Sequence, residues 1–238
     1  QMPVFRPCIG LDKNEIVTTM LSVENEDKNE YIVFCTQSGL VKRTKISKFD
    51  SIRKNGKLAI SLKENDSLLF AKKTDGNKEI LIGSSNGRMI RFDENEIRVM
   101  DRTASGVRGI DVGDGVCVGC EIADKDEQVL VVTENGYGKK TNVEEYRITH
   151  RGSKGVKALN ITEKNGNIVS FKCVKGDCDL LIITNNGIII RLPLDQVSST
   201  GRVAQGVRLI NLKDNQKVST VALVEKCDDS DKDNLENN

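Results

Sequence analysis

Positively charged side chains recur at fixed distances from two glycines in each of several repeated segments. A cation follows the first glycine of each copy by four residues, at Arg43, Arg91, Lys140 and Arg191. In three copies, cations also stand four residues before and two residues after the second glycine: Arg102 and Arg108, Arg151 and Lys157, Arg202 and Arg208. Acidic residues keep no such spacing. Because Lys and Arg bind phosphate through charge-assisted hydrogen bonds, the spacing predicts a phosphate-binding surface.

A single repeat would not support this interpretation, since strands need polar outer faces and any charge would serve. Four copies of the same sign support a positively charged belt more strongly. The chain has three Tyr, six Phe and no Trp, and most of the Phe lie in apolar runs. Such a composition disfavours a stacking platform for single strands and favours contacts with the duplex backbone. A curved belt requires bent DNA, and bending a short site by roughly 40–90° costs on the order of 1–6 kcal/mol.

Other site chemistries have little support in the sequence. His150 is the only histidine, and no Ser or Cys has the setting of a nucleophile. Gly152 and Gly155 beside Lys154 match no nucleotide-binding motif. The sequence therefore predicts no catalytic site.

Cys117-x-x-Cys120 and Cys173-x4-Cys178 have spacings that could bind zinc. These cysteines align with apolar residues of other repeats, which favours core positions. Residues three apart in a strand also point to opposite faces, which argues against a shared ion. We therefore expect no metal site.

The elements that would position the cations are short strands and turns. The first glycines are Gly39, Gly87, Gly136 and Gly187, and the second are Gly56, Gly106, Gly155 and Gly206. Ser-Gly or Asn-Gly at the first position, between β-rich runs, predicts a hairpin. A period near fifty residues without a helical pattern predicts radially repeated four-stranded sheets. Equivalent positions of such an array lie on one ring.

We predict a propeller-like all-β array of about 4.5 to 5 blades within residues 1–226. Its parts are a partial blade at 1–24 and blades at about 28–74, 78–123, 128–174 and 179–225. The partial blade rests on the alignment of residues 14–20 with residues 215–221. Residues 227–238 are acidic and nearly devoid of apolar side chains, so we expect a disordered tail.

Composition sets broad limits on location. The formal net charge is +1, with an acidic C-terminal end on a mildly basic body. Seven cysteines without a regular framework are typical of a reducing compartment. No segment is apolar enough to span a membrane and no signal peptide precedes Met2, so we expect a cytoplasmic protein. Opening at Gln1 with part of a repeat, the sequence is also expected to be a fragment of a longer polypeptide.

The residues closely resemble the C-terminal domain of the bacterial DNA gyrase A subunit. The resemblance rests on Glu134–Thr141, on Glu145-Tyr146-Arg147, on the Arg-x-x-x-Gly-Val-Arg/Lys turns and on Gly201–Arg208, and it covers essentially the whole chain. It implies a β-pinwheel, a propeller-like disc of four-stranded antiparallel blades that exchange strands and wrap DNA. It also implies a module of an ATP-dependent type IIA topoisomerase that introduces negative supercoils.

The resemblance places the catalytic tyrosine and the use of ATP and Mg elsewhere in the holoenzyme, so no cofactor is expected in this chain. Its implied partners are double-stranded DNA, the gyrase B subunit, and the rest of the gyrase A subunit, joined in an A2B2 heterotetramer in the bacterial nucleoid. The expected DNA contacts are Lys42, Arg43, Arg88, Arg91, Arg102, Arg108, Lys139, Lys140, Arg151, Lys154, Lys157, Arg191, Arg202 and Arg208.

Two departures from the family pattern leave alternatives open. The family usually has six blades, and its wrapping heptad, the gyrase A box, lies in a first blade that is missing or truncated here. Residues 149–155 are similar to that heptad but belong to the third full repeat, so we interpret them as a box-like turn. The alternatives are the homologous C-terminal domain of topoisomerase IV, which favours decatenation, and a protein-binding propeller without a DNA role.

Overall fold

The computed structural model describes residues 16–24, 27, 29–50, 56–213 and 215–226. Within them, strands and short 3₁₀ turns form four antiparallel sheets, which confirms the predicted all-β class. The strands are β1 Tyr31–Thr36, β2 Leu40–Lys45, β3 Leu68–Thr74, β4 Glu79–Ser84, β5 Arg88–Asp93, β6 Val107–Arg108, β7 Cys117–Ala123, β8 Gln128–Thr133, β9 Tyr137–Asn142, β10 Val156–Lys157, β11 Ile168–Val174, β12 Cys178–Thr184, β13 Ile189–Pro193, β14 Val207–Arg208 and β15 Val218–Glu225.

Each of the first three blades takes its fourth strand from the next repeat. The strand orders are β3-β1-β2-β6 in blade 1, β7-β4-β5-β10 in blade 2 and β11-β8-β9-β14 in blade 3. Blade 4 has only β15-β12-β13. The strands β3, β7, β11 and β15 contact one another and form the hub, so β6, β10 and β14 form the rim. Strand exchange therefore places the second glycine of each repeat on the blade before it.

The core lies between consecutive blades. Along β4, Ile80 and Ile82 pack toward blade 1, while Leu81 packs toward blade 3. Along β8, Val129 and Val131 pack toward blade 2, whereas Leu130, the residue between them, packs toward blade 4. A strand buried on both faces needs a continuous apolar run, which explains why these segments lack the polar alternation of a surface strand.

The seam, our term for the contact between one blade and the next, repeats in register. One residue of the second strand in each of blades 1 to 3 forms an isolated parallel bridge with the next repeat: Arg43 with Val99, Arg91 with Ile148, and Lys140 with Ser199. The carbonyls of Arg43, Arg91 and Lys140 accept from the amides of Met100, Thr149 and Thr200, at 2.8, 2.8 and 2.9 Å. Backbone hydrogen bonds thus tie each repeat to its successor.

The structure describes only part of the two expected terminal segments. Residues 16–24, expected in a partial blade, form no strand, and Ile16 and Met20 are 84% and 87% exposed. The reason is that a hub strand needs a neighbouring strand to pair with, and no described strand pairs with these residues. The rest of that segment, residues 1–15, and the tail at 227–238 lie outside the described residues.

Gly155 provides a test of the strand exchange. It has φ +69°, and a Cβ there would lie 2.2 Å from the Met89 carbonyl oxygen of blade 2. We expect Gly155→Ala to lower the free energy of unfolding by about 3 kcal/mol or more, because the left-handed backbone costs about 1–2 kcal/mol and the clash with backbone adds to it.

The matched control is Gly187→Ala, with φ +82° and nothing within 4 Å of a Cβ. We expect it to lose only the conformational cost, about 1–2 kcal/mol, in the same urea titration. Equal losses in both variants would contradict the strand-exchange interpretation.

Candidate nucleic-acid interface

The outermost strand of three blades presents one exposed cation at the same station. Arg108 lies on β6, Lys157 on β10 and Arg208 on β14. All three are exposed, and the equivalent residue of the first repeat is Leu58. These strands are short and lie at the edge of their sheets, so the cations point to solvent at the rim.

A second set of cations reaches back to the preceding repeat. The Nη1 atom of Arg102 donates to the Leu58 carbonyl at 3.1 Å, that of Arg151 to the Arg108 carbonyl at 2.9 Å, and that of Arg202 to the Lys157 carbonyl at 2.5 Å. The guanidinium groups are half-buried and retain other N–H donors. In the second and third of these bonds, two cationic residues lie side by side where neighbouring repeats meet.

The box-like turn at residues 149–155 belongs to this rim. The Arg151 amide donates to Glu96 Oε2 at 3.0 Å, and its Nε to the Glu96 carbonyl at 3.0 Å. Lys154 is exposed at the tip of the turn. Arg88 is half-buried and donates to the Gly155 carbonyl at 3.3 Å. The turn is therefore held from both sides while Lys154 remains accessible.

Four predicted contacts are buried in seams, which corrects the expectation that they join an exposed belt. Lys42 and Lys139 have no exposed surface, and Arg43 and Arg91 are 5% and 4% exposed. Arg43 pairs with Glu94 at 3.2 Å, and Arg91 pairs with Glu79 at 2.5 Å. Their regular spacing is explained by the seam, since each one ties its blade to the next or to its own first strand.

The two buried lysines bind backbone carbonyls. Lys42 Nζ donates to the Ala59 and Arg102 carbonyls, both at 2.5 Å, and Lys139 Nζ donates to the Gly201 and Arg202 carbonyls at 2.7 and 2.5 Å. An ammonium occupied in this way has no route to a phosphate. The sequence carries a signal for this burial, because the equivalent residues of the second and fourth repeats are Ile90 and Ile190.

Lys140 and Arg191 occupy the same station as Arg43 and Arg91. Lys140 is half-buried, and its Nζ donates to the Leu194 carbonyl at 2.9 Å. Arg191 is half exposed and pairs with Asp179 of its own blade at 2.6 Å. No blade follows it in the described part of the chain, so this seam residue remains open to solvent.

The cysteines do not form a metal site in the described part of the chain, where no group of three or more His, Cys, Asp or Glu side chains is placed to hold an ion. Cys117 and Cys120 nevertheless face the same core, together with Cys35, whose Sγ lies 3.6 Å from that of Cys117. A register shift opposite Ser84 leaves Val118 of β7 unpaired. Cys117 and Cys120 therefore lie on the same face of the strand, contrary to the expectation that residues three apart point to opposite faces.

Comparisons with known proteins come from sequence and from structure. The family model described as DNA gyrase C-terminal domain, beta-propeller, matches residues 30–75, 78–124, 127–175 and 179–225. The DNA gyrase A subunit of Staphylococcus epidermidis is 50% identical over 226 residues, which is 93% of this chain and 25% of that protein. Its counterpart in Staphylococcus aureus strain MRSA252 is 48% identical over 230 residues, 95% of this chain and 26% of that protein. The chain thus spans about a quarter of these relatives.

Two solved structures are similar to the whole array. The C-terminal domain of DNA topoisomerase IV matches with a TM-score of 0.86 and 25% identity, covering 92% of this chain and 69% of that one. A DNA gyrase A C-terminal domain matches with a TM-score of 0.80 and 24% identity, covering 91% and 73%. The second likeness concerns the fold alone.

Among the described residues, no helical segment has the length and the apolar character of a membrane span.

The buried lysines predict a pH dependence of stability. Desolvation lowers the pKa of both Lys42 and Lys139 from 10.5 to about 8, against the opposing attraction of Asp101 and Glu145. Between these values the unfolded chain holds more protons than the folded one, so stability rises with pH. We expect each lysine to contribute about 1–2 kcal/mol of added stability between pH of about 7.5 and 9.5.

Urea unfolding at both pH values checks this, with Lys42→Met and Lys139→Met expected to flatten the rise. Lys125→Met removes an exposed lysine and should leave it unchanged. An identical pH dependence in all four proteins would show that the buried ammonium groups are not desolvated.

Proposed function

The chain belongs to the family of DNA gyrase C-terminal domains, and from this membership we propose that it binds duplex DNA along its rim and bends it there. The observation that carries the proposal is the pairing of cations where repeats meet, Arg151 with Arg108 and Arg202 with Lys157. The two pairs lie at the outer strands of successive blades, with Arg108 on β6 of blade 1 and Lys157 on β10 of blade 2. A duplex that follows them would place successive phosphates against successive blades.

The burial of several predicted contacts narrows the set of residues that we propose to touch DNA. Arg102, Arg108, Arg151, Lys154, Lys157, Arg202 and Arg208 form the proposed rim surface, with Arg88 at its edge and Arg191 at the open end of the array. Lys42, Arg43, Arg91 and Lys139 support it from within. Lys140 is also assigned to a seam because its ammonium is bound to the Leu194 carbonyl. Phosphate contacts of this kind position the duplex without reading its sequence.

In the complete enzyme, we propose that this domain is part of a gyrase A subunit that works with gyrase B as an A2B2 assembly. Wrapping DNA around the rim would present a crossing for strand passage, and ATP-dependent passage would introduce negative supercoils. Cleavage and ATP use would belong to other parts of that enzyme, in the bacterial cytoplasm. Identity near 50% with two Staphylococcus gyrase A subunits supports this assignment.

Salt-dependent titration tests the rim surface. With the 238-residue chain and a short linear duplex, we expect log affinity to fall linearly with log salt, because phosphate contacts release counterions. Lys157→Gln and Arg108→Gln should each reduce the slope by about one. Lys125→Gln removes a charge away from the outer strands and should leave the slope unchanged. A slope near zero in the wild-type chain would instead favour a protein-binding propeller.

Wrapping is tested separately from binding. A relaxed plasmid closed by ligase in the presence of the chain should show a linking-number shift of one sign, because a chiral wrap gives the DNA a writhe that ligation retains. Gel analysis with an intercalator gives that sign. Binding without any shift would reject wrapping by this domain while leaving the rim contacts in place.

A further inference from the structure

A half-open pocket of about 230 Å³ lies beside the hairpin of blade 3, where β14 pairs with β9. We call it the Tyr137 pocket. Its wall is formed by Tyr137 with Arg208 and Lys164, and its floor by Ile210 and Leu212. The amide side chains of Asn135 and Gln216 complete the lining. It thus combines cations, an aromatic ring and an apolar floor.

Two positive charges meet at the ring, and none of the described lining residues is acidic. The Arg208 guanidinium carbon lies 5.5 Å from the centroid of the Tyr137 ring, and Lys164 Nζ lies 5.6 Å from it. Arg208 also donates from Nη2 to the Tyr137 hydroxyl at 2.9 Å and from Nη1 to the Asn211 amide oxygen at 3.3 Å. Among the described residues no carboxylate lines the pocket, and the Lys164 ammonium makes no hydrogen bond or ion pair with them.

This combination occurs only in blade 3 of the described array. At the station of Tyr137, blade 1 has Leu40, blade 2 has Arg88 and blade 4 has Ile188. Lys164 belongs to the connection between β10 and β11, which has ten residues, whereas the connection between β6 and β7 has eight. Because the repeats differ in length here, spacing from the glycines did not reveal Lys164.

The apolar residues of the pocket floor also have a role in the fold. Ile210 and Leu212 pack under Gly136, as Ile110 and Val112 pack under Gly39 in blade 1. The contact between the Tyr137 and Arg208 side chains also braces β14 against blade 3. Lys164 serves neither purpose, because it is exposed and belongs to a different connection. Its ammonium group is therefore the feature that a structural brace does not explain.

We propose that the Tyr137 pocket binds a phosphate ester together with the sugar that carries it. Lys164 and Arg208 would hold the phosphate, since charge-assisted hydrogen bonds are the strong ones. Half-buried Leu212 would contact the less polar face of the sugar, together with the edges of Ile210 and Tyr137, which are 6% and 7% exposed. The amides would orient it. The ester can come from the backbone of bound DNA, which rests on the proposed function, or from a free nucleotide.

The test follows the Tyr137 ring signals by NMR in the 238-residue chain, assigned with Tyr137→Phe. Thymidine monophosphate, inorganic phosphate and uncharged thymidine are titrated separately, and a short duplex is titrated as a further arm. We expect saturable shifts with the monophosphate and none with thymidine at the same concentrations. Lys164→Gln should weaken monophosphate binding about tenfold, the loss of one charged contact. Lys125→Gln should leave it unchanged.

The separate titrations distinguish the two sources of the phosphate ester. They also distinguish a failure of this inference from a failure of the proposed function. If only the duplex shifts Tyr137, and Lys164→Gln weakens duplex binding more than Lys125→Gln, the pocket takes backbone phosphate alone. If the monophosphate binds while the duplex neither shifts Tyr137 nor binds in the salt-dependent titration, the pocket stands and the proposed DNA function fails. If neither ligand moves the Tyr137 signals, or Lys164→Gln and Lys125→Gln behave alike with both, the inference is overturned and the cluster is a brace for β14.

Discussion

The structure depends on one constraint: the second strand of each blade must receive an outer strand from the next repeat. The edges of β2, β5 and β9 are closed by β6, β10 and β14, whereas β13 has no such partner in the described chain. An unpaired strand edge leaves backbone groups without hydrogen bonds from the sheet. Consistent with this, Ile189 of blade 4 is 61% exposed, whereas the equivalent Met89 of blade 2 is fully buried. A blade is therefore completed by its neighbour, and each repeat contributes to two blades.

This constraint divides the cations into two groups with different physical settings. Those that stand three or four residues after the first glycine in blades 1 to 3 enter the seam, where Arg43 meets Glu94 and Lys139 meets two carbonyls. Burying a charge is costly unless it is paired or fully hydrogen-bonded, and these partners offset that cost. Those on the exchanged strands remain in water. Positive residues that recur with one repeat spacing thus include buried residues that join neighbouring blades as well as residues of the solvent-facing surface.

The hub holds the blades at fixed positions. Glu121 of β7 accepts from Lys72 of β3 at 2.9 Å and from Lys172 of β11 at 3.2 Å, so one carboxylate links three blades. The equivalent residue of blade 4 is Ala222, which leaves the fourth blade outside this charge network. With apolar cores between consecutive blades as well, the spacing of rim residues is set by packing rather than by flexible loops. A preorganised rim loses less entropy when it binds a long partner.

The sequence by itself determined the repeat, the hairpins and the all-β class, because glycine turns and β-rich runs are local properties of the chain. It also located Arg108, Lys157 and Arg208, since equivalent stations of a radial array lie on one ring. Apart from the apolar Ile90 and Ile190 at the station of Lys42 and Lys139, only the tertiary structure decided which cations reach water. Lys42 and Arg43 lie in a segment with the polar residues of a surface strand, yet the neighbouring blade covers them. Burial across a seam depends on contacts between residues about fifty positions apart, and a local pattern of charge does not contain them.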